Sequence, residues 1–373
     1  MKKIKVVTVV GTRPEIIRLS RLIPKLEQYT DHVLAHTGQN YNPMLNDVFF
    51  KELGLRAPDY FLDVDTSSMG SILGDTLRKT EELLLRVKPN AVMILGDTNS
   101  SVAAIIAERM QIPVYHMEAG NRSFDNNVPE ELNRKMVDHV ASFNLPYTDH
   151  ARRNLLAEGI PPRFIQKTGS PMGEVLDYYS NEISSSNVLD DLGLESKNFF
   201  LVSVHRQETV DLPRRLEAVL ECLTSVRDRW NLPVLVSTHP RTRDRLESQM
   251  IKDIDGIIFH DLFGSLDYNK LQVEAKCVLS DSGSVSEESA IQGFAAVSIR
   301  DSIERPEALD SGVTILTSLN PDNVIASIEL AIESEKTKAL PDGYQEMHFS
   351  DNVLKFLFST VRQYRPWKGL LAE

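Results

Sequence analysis

The sequence predicts an α/β protein made of two Rossmann-like domains, each built on a doubly wound parallel sheet. Short β-branched runs alternate with helical patterns over nearly the whole chain. The predicted strands are almost continuously apolar, as expected when helices cover both faces of a parallel sheet. The length of 373 residues also exceeds what a single hydrophobic core usually serves, so two domains are expected.

The first half of the chain supplies one set of strands and helices. Strands are predicted at residues 4–10, 33–36, 91–95 and 114–117, and helices at 13–28, 69–87 and 100–110. The N-terminal run MKKIKVVTVV resembles the start of a signal peptide, but GTRPE follows it in place of a cleavage site. We therefore interpret this run as the first strand.

The second half repeats the pattern. Strands are predicted at residues 199–204, 234–237, 257–259, 278–279 and 296–299, with helices between them. The polar stretches at 168–171 and 184–187 indicate a domain junction. We expect an N-terminal domain at 1–170, joined by a C-terminal helix at 352–373, and a C-terminal domain at 171–351.

Composition and missing motifs narrow the function classes. With 41 basic and 53 acidic residues, the net charge of -12 disfavours nucleic acid as a partner. No apolar run reaches the ~20 residues that a membrane-spanning helix needs. The two cysteines lack metal or disulfide spacing, which favours a reducing cytoplasm and no metal. Without GxGxxG or a P-loop motif, bound NAD and ATPase activity are disfavoured.

Polar residues follow the predicted strands, at the carboxyl ends where open α/β sheets bind their ligands. They fall after strands in both halves, so two domains facing each other would form one deep cleft. The candidates in the first half are Arg13, Gln39, Asp97, Glu118 and Arg122, and those in the second half are His205, Arg206, His239, Ser282, Gly283 and Ser284.

Several of these residues suit an anion. Ser282, Gly283 and Ser284 open a predicted helix at 285–292, where free backbone N–H groups favour phosphate. An ordinary serine N-cap is the alternative. Arg13 could reach the same anion or be a solvated surface residue. His205 follows a buried strand and is next to Arg206 in the sequence, which favours a functional role for His205 over a structural one.

Carboxylates gather in the first half. Asp97, Glu118, Glu130 and Glu131 are acid/base candidates, because burial and mutual repulsion raise a carboxyl pKa toward neutrality. For Glu130 and Glu131 the alternative is a solvated first helical turn, where acids complement the helix dipole. Asp97 could instead be a helix N-cap.

Eight short motifs in order resemble those of the non-hydrolysing UDP-N-acetylglucosamine 2-epimerase family. They are GTRPE at 11–15, TGQ at 37–39, GDT at 96–98, EAGNR at 118–122, PEELNR at 129–134, HR at 205–206, DSGSVSEE at 281–288 and ERPE at 304–307. The resemblance implies a GT-B fold with its active site in the interdomain cleft, a homodimer, a UDP-sugar substrate and no cofactor. It also implies elimination of UDP across C1–C2 to a 2-acetamido glycal, followed by re-addition.

The resemblance assigns roles to individual residues. The implied catalytic residues are Asp97, Glu118, Glu130 and His205. The implied substrate- and UDP-binding residues are Arg13, Arg122, Arg134, Arg206, His239, Ser282, Gly283, Ser284, Glu288 and Arg305, with Glu288 at the ribose hydroxyls. The family's regulatory site would correspond to Gln39, Asn40 and Met44.

The chain departs from the family pattern at several positions. Gln207 and Thr209 change the usual His-Arg-Arg-Glu-Asn, Ser284 replaces a glycine, and Asn40 replaces a histidine at the regulatory site. The stretches at 36–41, 118–122 and 144–148 are more similar to one branch of the family. That branch converts UDP-2-acetamido-2,6-dideoxy-β-L-talose to UDP-N-acetyl-L-fucosamine for capsule or O-antigen synthesis, and we expect this substrate.

Four other functions compete with this expectation. Within the family they are epimerisation of UDP-N-acetylglucosamine to UDP-N-acetylmannosamine, and the hydrolysing branch that releases UDP. A GT-B glycosyltransferase would share the fold but need an acceptor, and the carboxylate cluster argues against it. A non-catalytic sensor of sugar nucleotides would leave these acids without a purpose.

Overall fold

The computed structural model describes residues 3–39, 49–251, 253–334 and 340–370. The chain divides into two compact units. Unit 1 comprises Met1–Arg122, Pro129–Val175 and Asp342–Glu373, and unit 2 comprises Ser123–Val128 and Leu176–Pro341. The expected N-terminal domain was 1–170 with a C-terminal helix at 352–373. Unit 1 instead extends to Val175 and includes the chain from Asp342 onward, whereas Ser123–Val128 belongs to unit 2.

Unit 1 contains a six-stranded parallel sheet in the order β3-β2-β1-β4-β5-β6. Its strands are β1 Lys5–Val10, β2 Asp31–His36, β3 Tyr60–Phe61, β4 Ala91–Leu95, β5 Val114–Met117 and β6 Phe143–Leu145. Its helices are α1 Arg13–Leu19, α2 Leu22–Tyr29, α3 Met69–Val87, α4 Ala103–Arg109, α5 Glu130–Val140 and α6 Asp149–Ala157, with short 3₁₀ helices at Asn99–Val102 and Pro162–Phe164. Helix α7, Met172–Tyr178, continues from unit 1 into unit 2.

The four strands predicted in the first half are confirmed within one or two residues, because their apolar runs are buried in the sheet. Strands β3 and β6 were not predicted. They are two and three residues long at the sheet edges. Segments this short carry no recognisable periodicity.

The predicted helix at 13–28 is wrong in one respect, since it is broken into α1 and α2 at Ser20 and Arg21. Pro24 explains the break. A proline inside a helix lacks the N–H donor, and its ring clashes with the carbonyl four residues earlier, here that of Ser20. Helix α3 matches its predicted bounds and ends at Lys88, which adopts a left-handed conformation.

Unit 2 contains a second six-stranded parallel sheet in the order β12-β11-β10-β7-β8-β9. Read from its other edge, this is the same 3-2-1-4-5-6 order as in unit 1. Its strands are β7 Phe200–Ser203, β8 Val234–Ser237, β9 Ile257–His260, β10 Cys277–Ser280, β11 Ala296–Ser298 and β12 Ile315–Leu316. Its helices are α8 Ser180–Ser184, α9 Val188–Leu192, α10 Gln207–Val210, α11 Pro213–Trp230, α12 Pro240–Ser248, α13 Ser265–Glu274, α14 Val285–Gln292, α15 Pro306–Asp310 and α16 Pro321–Glu333.

Each sheet therefore has one switch point, where the strand order reverses. It lies between β1 and β4 in unit 1 and between β7 and β10 in unit 2. Loops at such points leave the sheet in opposite directions and open a crevice for a ligand. Those four strands carry the loops at 11–12, 96–98, 204–206 and 281–284. No helix among the described residues is long and apolar enough to cross a membrane.

The end of the chain packs on unit 1 through α17 Phe349–Thr360 and α18 Tyr364–Lys368. The hydroxyls of Tyr115 and Thr360 lie 2.8 Å apart, and the Tyr364 hydroxyl donates to Glu108 at 3.0 Å. Gly343 packs directly against the backbone of Tyr147, because an added Cβ would lie 2.2 Å from the Tyr147 carbonyl oxygen. The segment from residue 342 is thus an integral part of unit 1.

Candidate active site

The switch point of unit 1 is organised around Glu15, which lies in the first turn of α1. One carboxylate oxygen accepts the backbone N–H groups of Gly11 and, at 3.1 Å, Thr12. The other accepts the hydroxyls of Thr98 and, at 2.8 Å, Ser100. Glu15 therefore joins the loops after β1 and β4.

Burial of Glu15 raises the pKa of its carboxyl to about 7, and its four hydrogen bonds only partly offset that effect. Glu15 belongs to the GTRPE motif at 11–15, but no individual role was predicted for it. A capping-box signature, Thr12 followed three residues later by Glu15, was the available signal.

Asp97 and Arg134 meet at this edge of the sheet. Nε of Arg134 lies 2.7 Å from Oδ2 of Asp97, and Nη1 lies 3.0 Å from Oε2 of Glu131. The Asn133 side chain donates to the backbone carbonyl of Asp97 at 2.9 Å. The buried Arg134 thus holds two carboxylates, and Asp97 stays partly exposed at the loop tip. Glu130, the first residue of α5, is half-buried.

Glu118 follows β5 in a left-handed conformation, with φ of 66°. A non-glycine residue in this region is uncommon, and such strain concentrates at functional sites. Its Oε2 lies 3.7 Å from Nε of Arg18, and Asn121 donates to Oε1 at 3.3 Å. Arg18 is a buried cation in α1, and no role was predicted for it because its partner Glu118 is distant in sequence.

The structure corrects the role expected for Arg122. Its side chain is fully buried, and its guanidinium binds Asp138 at 2.7 Å and Glu158 at 2.8 and 2.6 Å. A third group, the backbone carbonyl of Asn121, accepts from it at 2.7 Å. An arginine enclosed in this way is a structural cross-link within unit 1 rather than a ligand contact.

Arg13 and Gln39 lie beside the loop after β1. The Arg13 guanidinium stacks 5.1 Å from the ring centroid of Phe49, and burial lowers the pKa of Arg13. The Gln39 side chain lies against Gly11 in this loop, because a Cβ added at Gly11 would be 2.8 Å from Nε2 of Gln39. The other two regulatory positions expected from the sequence, Asn40 and Met44, lie outside the described residues.

In unit 2, the buried Asp281 organises the loops after β7 and β10. Its carboxylate accepts the backbone N–H of His205 at 3.0 and 3.1 Å and that of Arg206 at 2.9 Å. Oδ1 also lies 3.3 Å from Nδ1 of His205. The Arg206 side chain donates to the Asp281 carbonyl at 2.8 Å and to Glu304 at 3.0 Å. Asp281 belongs to the motif at 281–288, but no individual role was predicted for it.

The serine turn before α14 also lies at this switch point. The hydroxyls of Ser282 and Ser284 are 3.0 Å apart, and the Ser284 side chain makes no capping bond to the helix. A Cβ added at Gly283 would lie 2.2 Å from Oε1 of Glu304. Any side chain at residue 283 would therefore displace the carboxylate of Glu304, which Arg206 and Arg300 hold from two sides.

The remaining predicted residues of unit 2 surround this turn. Glu288, nine-tenths buried, accepts from Gln272 at 2.6 Å. Arg305 is buried and lies 3.1 Å from Glu287. His239 is the N-cap of α12, where its side chain accepts the backbone N–H of Arg241 at 3.2 Å. Its ring centroid lies 5.5 Å from that of His205.

Comparison with known proteins gives consistent matches over nearly the whole chain. The family model described as UDP-N-acetylglucosamine 2-epimerase matches residues 25–357. A structure of UDP-N-acetylglucosamine 2-epimerase from Rickettsia bellii is 41% identical, with a TM-score of 0.89 over 97% of this chain and 98% of that one. The matched structures have the GT-B-like epimerase fold.

Two further matches carry information about ligands and substrates. The Methanocaldococcus jannaschii UDP-GlcNAc 2-epimerase, solved in complex with UDP-GlcNAc and UDP, is 32% identical, with a TM-score of 0.90 over 95% of this chain and 100% of that one. The UDP-2,3-diacetamido-2,3-dideoxy-D-glucuronate 2-epimerase of Pseudomonas aeruginosa is 33% identical over 335 residues, which are 88% of this chain and 92% of that protein.

Proposed function

The chain belongs to the UDP-N-acetylglucosamine 2-epimerase family and is a UDP-sugar 2-epimerase, an isomerase; on that premise we propose that it inverts C2 of a UDP-2-acetamido sugar by eliminating and re-adding UDP. The observation that carries this proposal is the set of carboxylates at the carboxyl ends of neighbouring strands in unit 1. Asp97 follows β4, Glu118 follows β5, and Glu130 begins α5.

The carboxylates suit the proton transfers of such a reaction. The C2 hydrogen lies beside no carbonyl, so a base must remove it while the C1–oxygen bond breaks and UDP leaves with the bonding electrons. The product pair is a 2-acetamido glycal and UDP. A proton then returns to C2 on the opposite face, and UDP re-adds at C1. Two faces require at least two proton-transferring groups, which Asp97, Glu118 and Glu130 provide.

The switch point of unit 2 suits the UDP moiety. His205, Arg206 and the hydroxyls of Ser282 and Ser284 present donors and positive charge at one sheet edge. Oδ1 of Asp281 lies 3.3 Å from Nδ1 of His205 and so orients the imidazole at this edge, where it could donate to a diphosphate. Glu288 is proposed to accept the ribose hydroxyls.

We propose UDP-2-acetamido-2,6-dideoxy-β-L-talose as the substrate, giving UDP-N-acetyl-L-fucosamine. Support comes from the stretches at 36–41, 118–122 and 144–148, which are more similar to that branch. The matched relatives act on differing sugars at the same carbon, according to their names, so the family tolerates change around the ring. UDP-N-acetylglucosamine is the competing substrate.

We further propose that the enzyme acts in the cytoplasm as a homodimer and supplies a capsule or O-antigen sugar. Its two cysteines are buried and unpaired, which suits a reducing compartment. Light scattering of the purified protein tests the dimer directly, because a mass of one 42.0 kDa chain would contradict it.

The test of the reaction is proton NMR of the enzyme in deuterated water with each candidate UDP-sugar. Deuterium entering C2 of the talose or fucosamine nucleotide, but not of UDP-N-acetylglucosamine, supports both the mechanism and the substrate. Exchange only with UDP-N-acetylglucosamine keeps the mechanism and overturns the substrate. Accumulation of UDP with free sugar would indicate hydrolysis, and absence of exchange would contradict epimerisation of these sugars.

Substitutions test how the roles are divided between the two units. Asp97→Asn and Glu118→Gln should abolish C2 exchange and leave UDP affinity within about three-fold, because these acids act on the sugar. His205→Ala should weaken UDP binding by about ten-fold or more, since an imidazole donor to the diphosphate is lost. Glu82→Gln, on the exposed face of α3, is the matched control and should change neither property. Loss of UDP binding in the Asp97 or Glu118 variants with an intact fold would contradict the division.

A further inference from the structure

Unit 1 contains a buried histidine that the proposed chemistry does not use. His116 lies on β5, two residues before Glu118, and both of its ring nitrogens face oxygen atoms. Nε2 lies 2.9 Å from the backbone carbonyl of Gly96, and Nδ1 lies 2.9 Å from Oδ1 of Asp138. The side chains of His116 and Asp138 are 2% and 0% exposed.

Both contacts require a proton on the ring. A backbone carbonyl only accepts, so Nε2 of His116 must carry hydrogen to bind Gly96. An ionised carboxylate also only accepts, so a hydrogen bond from Nδ1 to Asp138 requires hydrogen on Nδ1 as well. Burial alone would lower the pKa of His116, but its contacts with Asp138, Gly96 and Asp97 outweigh burial and raise it. These contacts thus favour the protonated form of the ring.

The two contacts reach both carboxylate-bearing loops. The carbonyl of Gly96 belongs to the peptide unit that leads into Asp97, and Gly96 has a φ of 71° at the turn. Oδ2 of Asp138 accepts the backbone N–H of Gly120 at 3.0 Å, in the loop that starts at Glu118. The His116–Asp138 pair therefore fixes the peptide plane that leads into Asp97 and the backbone N–H two residues after Glu118.

We infer that His116 and Asp138 are positioning residues, which hold the loops of Asp97 and Glu118 in register for proton transfer at the sugar. This inference rests on the proposed function, since it assigns those two acids to the reaction. Neither His116 nor Asp138 touches substrate in this role. Their effect should appear in the proton-transfer rate and not in the affinity for UDP.

The protonation state is tested first, by NMR of the wild-type protein with ¹⁵N-labelled histidine at pH 8. The signal of His116, identified by its loss in His116→Gln, should show protons on both ring nitrogens. In Asp138→Asn it should show one proton, because the anionic partner is gone. The charged groups facing the ring are Asp138 and Asp97, with Arg122 behind Asp138. A single neutral tautomer in the wild type would overturn the inference.

The positioning effect is tested by kinetics of C2 exchange. His116→Gln should lower kcat about 100-fold, because a misplacement near 1 Å costs that much, while KM and UDP affinity change less than about three-fold. The control is His32→Gln, which alters another buried histidine of unit 1, bound to Thr8 at 2.9 Å. It should lose stability and keep kcat. An unchanged kcat in His116→Gln, or equal losses in both variants, would overturn the inference.

Failure of the proposed function would look different. If the wild-type enzyme exchanged the C2 hydrogen of none of the UDP-sugars, the proposed epimerase reaction would be contradicted. The NMR signature and the amide protection of Asp97 and Gly120 would still decide the positioning. His116→Gln should speed hydrogen exchange at both amides. Unchanged protection there would contradict the role of the ion pair.

Discussion

The buried Glu15 should make the stability of unit 1 depend on pH. The pKa of its carboxyl is about 7 in the folded protein, against an ordinary value of 4.5. The folded state therefore binds more protons than the unfolded state between these values, and stability falls as pH rises through that window. Between pH 6 and pH 8.5, Glu15 alone should lower the free energy of unfolding by about 1.4 kcal/mol.

The variant Glu15→Gln removes this dependence. Its amide oxygen can accept the N–H groups of Gly11 and Thr12, and its NH₂ group can donate to the hydroxyls of Thr98 and Ser100. Because glutamine stays neutral, the variant should gain about 1.4 kcal/mol relative to its parent from pH 6 to pH 8.5. All other titrating groups are shared, so their effects cancel in the difference.

Urea denaturation can follow unit 1 by itself. The chain has two tryptophans, and Trp367 packs on unit 1 against Phe143 and Phe164 at ring-centroid distances of 6.3 and 6.4 Å. In a Trp230→Phe parent, the remaining fluorescence reports the unfolding of unit 1. If the free energies of unfolding of the parent and Glu15→Gln change equally with pH, the raised pKa of Glu15 is refuted. If the stability of Glu15→Gln falls relative to the parent as pH rises, the pKa of Glu15 is lowered in the folded protein.

Four further variants test the packing of two glycines and the roles of Gly283 and Arg122. Gly343→Ala should lower the free energy of unfolding by more than ~2 kcal/mol, and Gly159→Ala by only ~1 kcal/mol. Both glycines have a positive φ, but only at Gly343 would the added Cβ meet a neighbouring backbone. Equal losses of stability in thermal denaturation would contradict this prediction. Gly283→Ala should displace Glu304 and weaken UDP binding about ten-fold by calorimetry, and unchanged affinity would argue against the serine turn as the UDP site. Arg122→Gln should cost about 3 kcal/mol or more of stability and leave UDP affinity within two-fold; a selective loss of UDP binding would restore the role first expected for it.

The topology was predictable from the sequence because its signals are local. Runs such as 91–95 and 114–117 are apolar throughout, and the residues after them had to lie at one sheet edge. Asp97 and Glu118 were placed at that edge for this reason. The break between α1 and α2 was also readable, since Pro24 forbids a continuous helix.

Pairings between distant residues were not predictable. Arg122 belongs to a motif, but only the fold shows that Asp138 and Glu158 enclose it. His116 sits in a strand where its burial was expected, whereas its partner lies on α5. Such pairs depend on how helices dock on the sheet, and hydrophobic periodicity does not encode that choice of partner.

The return of the chain to unit 1 has a consequence for biosynthesis. Residues from Asp342 onward leave the ribosome after the whole of unit 2, yet α17 and Gly343 are packed into unit 1. A nascent chain therefore carries an incomplete first unit while the second is being translated. Unit 2, almost continuous in sequence, can finish folding first. During that interval the apolar surface that α17 later covers is open to chaperones or to other nascent chains.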